Sequence, residues 1–333
     1  MANILHSSIK NREEIVNSLG TEKDVVHLSF GINDSYARGM GIAVFSVLEN
    51  NPDLRFHVHL FGTTLSNESI SRIIELAKMF PLAVTTYTFK DEAFQGLPMV
   101  GRYTHAIYYR LFIPLILADI TDKVIYLDAD TLCVGRYNDL IKLDISQYTL
   151  CAVNDEKRAR AKLCPVLKLT SGNYFNSGFL YINIEKWVAR DTTNRVINEL
   201  RENGDKFKFP DQEALNVVLE HETLLLPKEY NYIVDIIYKR VGHEKTLPGG
   251  VILIHYTGKC KPWHSWGGSK VADLYYSYYE RSPWRGISLD MPVSYKEMKR
   301  YARVLWFKGD YLSSVKWMAK YMNTKVFRKR THD

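Results

Sequence analysis

The chain has no apolar run long enough to cross a membrane. A spanning helix needs roughly 18 or more predominantly apolar residues, and the longest candidate, Leu111 to Ala118, is short and interrupted by Pro114. The first residues, Met1-Ala-Asn-Ile-Leu-His6, lack the apolar centre of a secretory signal, so the protein is expected to be made and kept in the cytoplasm. Cysteine is scarce: four residues, Cys133, Cys151, Cys164 and Cys260, with no pair spaced Cys-x-x-Cys. That spacing argues against a zinc knuckle or dithiol redox motif and suits reduced, buried thiols. There is no internal repeat and no low-complexity tract, which argues against a solenoid or a disordered chain. Basic excess is also missing from most of the sequence. Residues 295–333 hold eleven Lys or Arg and three acidic residues, a net of +8, against +7 for all 333 residues, so the remainder carries −1. A neutral body with a basic tail points to an anionic surface as partner of the tail alone.

The length and the 46% apolar content allow one large α/β domain with an appendage, or two domains. Residues 1–24 are polar and mixed, and read as an N-terminal extension with one short helix. Val25 to Phe30 reads as a first buried strand, followed by a turn at Gly31-Ile-Asn33-Asp34-Ser35 and an apolar helix carrying Ile42, Phe45 and Leu48. Arg55 to Phe61 alternates as a second strand, with His57 and His59 on the face opposite Phe56, Val58 and Leu60. That spacing can bind metal; hydrogen-bonded or solvated histidines are the ordinary reading. Ser66-Asn-Glu-Ser opens a helix running to about Phe80, and Leu82 to Phe89 returns as a strand. A helix with Tyr108, Tyr109, Arg110 and Leu111 follows. Later, Tyr174 to Asn183 reads as a turn feeding a strand, Pro210-Asp211-Gln212-Glu213 as a helix start, and Val251 to Gly258 as another buried strand. Strands alternating with helices predict an α/β sheet with substantial parallel pairing, whose ligands sit beyond the strands' carboxyl ends.

At one such end stands Lys123-Val-Ile-Tyr-Leu-Asp128-Ala-Asp130. If the extended geometry persisted, Asp128 and Asp130 would point the same way and repel unless a cation lay between them. A hard divalent ion such as Mg²⁺ or Mn²⁺ suits oxygen ligands; a solvated loop opening is the plain alternative. Earlier in the chain, Arg110 stands among apolar neighbours, where an exposed, snorkelling arginine is the ordinary reading. For Asn33-Asp34 the plain reading is an Asx-type turn.

Six segments in this order resemble glycosyltransferase family 8: Asn33-Asp34-Ser35-Tyr36, Tyr109-Arg110, Leu127-Asp-Ala-Asp130, Phe175-Asn-Ser-Gly178, Pro210-Asp-Gln-Glu213, and His255-Tyr-Thr-Gly-Lys-Cys-Lys261-Pro-Trp263. Ser282-Pro-Trp284 and the basic aromatic segment after it resemble the bacterial lipopolysaccharide-core branch. The resemblance implies a retaining, metal-dependent enzyme with a GT-A-type fold, a single Rossmann-like domain with a mixed sheet over 25–270, and a helical basic region over 271–333. It implies UDP-glucose or UDP-galactose as donor, and Mn²⁺ or Mg²⁺ held by Asp128, Asp130 and His255. Gly31, Asn33, Asp34, Tyr36, Arg110, Ala129, Asp155, Asn176, Gly258 and Lys261 would contact the donor. Some relatives carry Asp where Asn33 stands here; an amide can still pair with uracil. Asp211 and Gln212 are expected beside the anomeric carbon, and Trp263 is expected to pack. A glutamine is a poor nucleophile, so same-face attack, with the departing phosphate taking the acceptor's proton, is favoured over a covalent intermediate.

The tail mixes eight aromatic residues with its eleven basic ones. Tyr311, Val315, Met318 and Met322 fall on one helical stripe, with Lys316 and Lys320 beside it. Such a segment suits a membrane interface, which would place the enzyme peripherally on the inner membrane beside a lipid-linked core oligosaccharide. A helical cap packed on the catalytic domain is the plain alternative. Nothing upstream resembles a nucleic-acid module. The sequence leaves open a different acceptor (a capsule, another glycolipid or a protein), a catalytically silent sugar-nucleotide-binding protein, and the oligomeric state.

Overall fold

The computed structural model describes residues 9–20, 24–98, 105–237 and 246–330. The chain divides into two compact units, one of Met1–Tyr232 with Gly250–His255, the other of Ile233–Gly249 with Tyr256–Asp333.

The first unit is built on an eight-stranded sheet in the order β1-β4-β3-β2-β5-β8-β7-β9. Its strands are β1 (Ile9–Asn17), β2 (Val25–Ile32), β3 (Arg55–Gly62), β4 (Leu82–Phe89), β5 (Lys123–Leu127), β7 (Leu150–Asn154), β8 (Phe175–Asn183) and β9 (Thr223–Leu226). The run β4-β3-β2-β5 is parallel, joined by α1 (Ala37–Asn50) and α2 (Asn67–Met79). Ser66 caps α2 by accepting from the Ser69 amide. β8 runs antiparallel to both β5 and β7, and all nine of its residues are buried. A strand covered on both faces need not alternate, and its Phe179-Leu-Tyr-Ile182 stretch is continuously apolar. α3 (Tyr109–Ile116), α6 (Ile184–Ala189), α7 (Thr192–Asn203) and α8 (Pro210–Val218) belong to this unit too, as do the short α4 (Asn138–Ile141) and α5 (Lys157–Leu167). Phe61, Tyr87, Phe112, Leu180, Trp187 and Leu215 share the main buried core.

Residues 9–17 correct one expectation. They form an edge strand instead of a lead-in with a short helix, pairing antiparallel with β4. The edge of β4 recruits them through backbone hydrogen bonds, which need no apolar face. The exposed Lys10, Arg12, Glu13 and Glu14 then guard the outer edge against further pairing.

A small sheet in the order β10-β11-β6 uses β6 (Thr131–Cys133), β10 (Tyr232–Ile233) and β11 (Leu253–His255). The expected strand over Val251–Gly258 is confined to these three residues of β11. Antiparallel pairing sets His255 opposite Thr131, one residue past Asp130.

In the second unit lie α9 (Lys270–Tyr279), α10 (Tyr295–Phe307) and α11 (Tyr311–Arg330). Ser294 and Glu297 close a reciprocal capping box at the start of α10. Gly309, at φ +82°, makes the tight link to α11. The two helices fold back on one another through buried Ala302, Val304, Ser314 and Tyr321, with the Ser314 hydroxyl donating to the Ala302 carbonyl at 2.7 Å. No helix among the described residues is long and apolar enough to cross a membrane.

Candidate active site

β5 ends at Leu127, and Asp128 to Asp130 form a turn instead of continuing the strand. The two carboxylates therefore converge by bending of the backbone, not by the two-residue period of an extended chain. The turn is anchored by the Asp128 amide, which donates to the Gly178 carbonyl at 2.8 Å. His255 arrives from β11. Its Nε2 lies 3.2 Å from Asp130 Oδ1 and 3.8 Å from Asp128 Oδ2, and one ligand atom from each of the three residues lies within 4.8 Å of the others. A Cβ on residue 178 would overlap the His255 ring and come within 2.8 Å of Asp128 Oδ2. Glycine at 178 keeps that space open. Two carboxylates and one imidazole around an open cradle fit a divalent cation of the Mg²⁺ or Mn²⁺ kind.

Arg110, on α3, is 7% exposed, so it is not the snorkelling arginine of the plain reading. Its guanidinium donates to the Ser177 carbonyl and hydroxyl, both at 2.7 Å, and to Asp128 Oδ1 at 2.9 Å. It lies over the Tyr126 ring at 4.5 Å, and Tyr126 donates its hydroxyl to Asp128 Oδ1 at 2.8 Å. Its Nε approaches Asp211 Oδ2 at 3.3 Å without hydrogen-bond alignment. Burial opposes the charge on Arg110, but Asp128 above all, with Tyr126 and Asp211, raises its basicity above the ordinary value. Burial pushes the Asp211 carboxyl upward, against the pull of Arg110.

Asp211 and Gln212 occupy the first turn of α8. Pro210 starts that helix, and the Glu213 carboxylate caps it by accepting from the Lys208 and Phe209 amides at 3.2 and 3.1 Å. Every polar end of Gln212 is engaged. Its Oε1 accepts from Asn176 at 3.2 Å and from the Ser177 amide at 3.1 Å. Its Nε2 donates to Asp155 Oδ2 at 3.1 Å and to the Tyr174 hydroxyl at 2.8 Å. Asn176 in turn donates to Asp155 at 3.4 Å. Asp155, Asn176, Asp211 and Gln212 thus form one polar network beside the carboxylate–imidazole cluster.

Asn231, which sequence reasoning missed, joins the two. Its amide nitrogen donates to Asn176 Oδ1 at 3.0 Å, so its oxygen is the acceptor for His255 Nδ1, also at 3.0 Å. That bond fixes the His255 tautomer and leaves Nε2 bare toward the carboxylates. Tyr126, Tyr174 and Ser177 were also missed as site residues. Ser177 was findable, since it lies inside the Phe175-Asn-Ser-Gly178 segment; Tyr126 reads simply as a strand residue and Tyr174 as part of a turn before one.

Gly31 packs closely, with an added Cβ meeting the Ala106 carbonyl and Tyr109 at 3.3 Å. Asp34 spends one carboxylate oxygen on the start of α2, accepting from the Ser66 amide and hydroxyl and from the Ser69 hydroxyl. These donors hold its carboxyl below the ordinary value although burial opposes them. Asn33 accepts from the Ser35 hydroxyl at 2.6 Å; Tyr36 is 40% exposed and Ala129 is buried. Gly258 and Lys261 belong to the second unit. Gly258 adopts φ +89°, and Lys261 Nζ donates to the Tyr256 carbonyl at 3.0 Å. Trp263 is buried, as expected of a packing residue.

A mixed sheet with an Asp-x-Asp turn at the carboxyl end of a parallel strand, faced by an imidazole and a dense polar network, defines a GT-A-type glycosyltransferase. The chain belongs to glycosyl transferase family 8: that family's sequence profile matches residues 27–267, and the profile of the family 8 C-terminal region matches residues 271–325. It is 32% identical over 313 residues to a lipopolysaccharide 1,2-glucosyltransferase of Escherichia coli, covering 90% of this chain and 91% of that protein. It is 29% identical over 316 residues to the lipopolysaccharide 1,3-galactosyltransferase of Salmonella typhimurium, covering 92% and 93%. Among solved structures, the galactosyltransferase LgtC in complex with donor and acceptor sugar analogs superposes with a TM-score of 0.66. That match covers 77% of this chain and 96% of LgtC at 23% identity, and speaks to the fold.

Proposed function

We propose that the protein is a retaining hexosyltransferase that moves glucose or galactose from a UDP-sugar, in α linkage, onto a lipid-linked lipopolysaccharide core oligosaccharide. The observation that carries the chemistry is the convergence of Asp128, Asp130 and His255 beside the Asn176–Asp155–Gln212 network. The acceptor class rests on the two relatives named above, one a glucosyltransferase and one a galactosyltransferase of lipopolysaccharide.

Asp128, Asp130 and His255 would hold Mn²⁺ or Mg²⁺, which supplies positive charge to the diphosphate as the sugar departs. Arg110 donates to Asp128 Oδ1 and orients its carboxylate. Gly258 and Lys261 follow His255 closely in the chain and are assigned to the diphosphate; Gly31, Asn33, Asp34, Tyr36 and Ala129 are assigned to the nucleoside side of the donor. Asn176, Asp155 and Asp211 are assigned to sugar hydroxyls. The Gln212 oxygen already accepts from Asn176 and the Ser177 amide, which draws electron density away from it. Same-face attack, in which the leaving phosphate takes the acceptor's proton, is therefore favoured over a covalent adduct. Trapping a glycosyl adduct on Asp211 or Gln212 would overturn that assignment.

The second unit is assigned to the cytoplasmic face of the inner membrane. Basic residues of the tail are interleaved there with exposed apolar ones, among them Trp306, Phe307, Tyr311, Leu312 and Val315. UDP release from UDP-glucose and from UDP-galactose with Mn²⁺ tests the reading. Turnover should depend on the ion, and Asp130→Asn should lower it by about 100-fold or more. Turnover with neither donor, or full activity in Asp130→Asn, would sink it.

A further inference from the structure

A second cluster of metal-ligating side chains lies on the sheet, outside the site described above. His57 and His59 are two residues apart on β3 and share a face. In the parallel register His27 on β2 stands opposite His57. The three rings are nested: His57 and His59 stack with centroids 4.1 Å apart, and His27 lies 5.2 Å from His59 and 5.5 Å from His57. One nitrogen from each ring lies within 4.8 Å of the others. His27 Nδ1 and His59 Nε2 approach to 2.9 Å. Asp128, Asp130 and His255 gather where β5 and β11 end, whereas His27 and His57 each stand third in their strands.

We propose that His27, His57 and His59 form a binding site for a borderline divalent transition-metal ion of the Zn²⁺ class, distinct from the carboxylate site and stapling β2 to β3. Three imidazoles without a carboxylate are a ligand set for Zn²⁺, Co²⁺ or Ni²⁺, and a poor one for Mg²⁺ or Ca²⁺.

Neighbouring hydroxyls set which nitrogens face the cluster. His59 Nδ1 bonds the Tyr87 hydroxyl at 3.1 Å, and His57 Nε2 bonds the Thr85 hydroxyl at 2.8 Å. Both partners come from β4 and act as the outer hydrogen bonds that orient ligating histidines elsewhere. They leave His59 Nε2 and His57 Nδ1 as the ligating nitrogens, with His27 Nδ1 already beside the former. Metal binding would displace the hydrogen shared between His27 and His59; the ring that carries it would shift to the tautomer protonated on its other nitrogen, so both imidazoles stay neutral. Burial is the main cause holding the imidazoles in the neutral, ligating form: His27 and His57 are lowered to about 4, and His59 is lowered well below the ordinary value. Nearby charges are mixed. Asp122 favours a cation at His27, and Arg12 opposes one at His57 and His59. His59 is fully buried while His27 and His57 are half-buried.

The test uses full-length protein carrying Asp130→Asn, stripped with chelator, in excess Mg²⁺, and titrated with Co²⁺ and then Zn²⁺. One equivalent of Co²⁺ should bind with the visible absorption of a tetrahedral site, Zn²⁺ should displace it, and Zn²⁺ should raise the unfolding midpoint by several degrees. His57→Gln and His27→Gln should each weaken Co²⁺ binding at least about tenfold. The same substitutions made without Asp130→Asn should leave Mn²⁺-dependent UDP release unchanged. If His57→Gln does not fold, His27→Gln decides, since His27 is half-exposed. Absence of the tetrahedral band, or a band and stoichiometry unaltered by the substitutions, would overturn the proposal. Neither result depends on which sugar the enzyme transfers.

Discussion

Asn231 carries no charge and no reactive group, yet it is 2% exposed and both ends of its amide are committed. It orients His255 with one end and Asn176 with the other. Asn231→Leu keeps the volume and removes both bonds. It should lower kcat/KM for donor hydrolysis by about 10- to 100-fold and raise the Mn²⁺ concentration needed for half activation, with an unchanged circular dichroism spectrum. A variant with full activity and unaltered Mn²⁺ dependence would show that His255 needs no such support. Asp128, Asp130 and His255 were legible in the sequence because carboxylates at a strand end are chemically conspicuous and the later histidine falls in a recognisable run. Asn231 was not, because a single asparagine in a short turn (Lys228–Asn231) bears no periodicity, and its partners come from distant segments. The function of Gly178 was hidden for a similar reason: what a Cβ would strike is known only once β11 is in place. For Asp34 the sequence suggested a turn, and the structure adds that the turn is tied to the start of α2.

At the scale of elements, the alternation of apolar strands and helices predicted the parallel core, and β3, β4 and α2 fall within a residue or so of their expected limits. The polar edge strand β1 escaped because hydrogen bonding along an edge leaves no apolar signature. The reversal of β8 escaped because strand direction is set by the connections and not by composition. That reversal matters chemically, since it carries the start of β8, with Asn176 and Ser177, to the end of β5. The far edge of the same sheet is held by Glu222. It accepts from the Thr149 hydroxyl at 2.8 Å, from Arg195 at 2.9 Å and from Arg190 at 3.1 Å. Burial would raise its carboxyl, but Arg195 and Thr149, with Arg190, hold it below the ordinary 4.5. A carboxyl depressed by folding contributes stability above its unfolded pKa and loses it as pH falls through the folded one. Glu222→Gln should therefore cost on the order of 1 kcal/mol at pH 7, allowing for partial solvent screening. The gap from wild type should narrow as pH drops below 4.5. Urea unfolding at several pH values measures this; a gap independent of pH would refute it.

At the scale of the whole molecule, basic charge and apolar exposure are concentrated in one stretch of chain. The expected stripe of Tyr311, Val315, Met318 and Met322 describes only part of it. Exposed apolar groups flank the Gly309 link, with Leu312 at 81% and Trp306 at 53%, and Trp306 meets Tyr311 edge-on at 4.8 Å. Replacing Trp306 and Leu312 together by serine should release the protein from vesicles containing anionic lipid and leave UDP release from free donor unchanged. Sedimentation with such vesicles at low and high salt reads the result, and undiminished binding would direct attention away from this tip.

The pairing of His255 with Thr131 has a consequence in time. Asp128 and His255 are 127 positions apart, and among the described residues the cluster draws its nitrogen from His255. A chain whose synthesis has stopped short of β11 holds both carboxylates but not the imidazole, so on the function proposed above the last strand added to the small sheet would decide when the protein can first act on a donor.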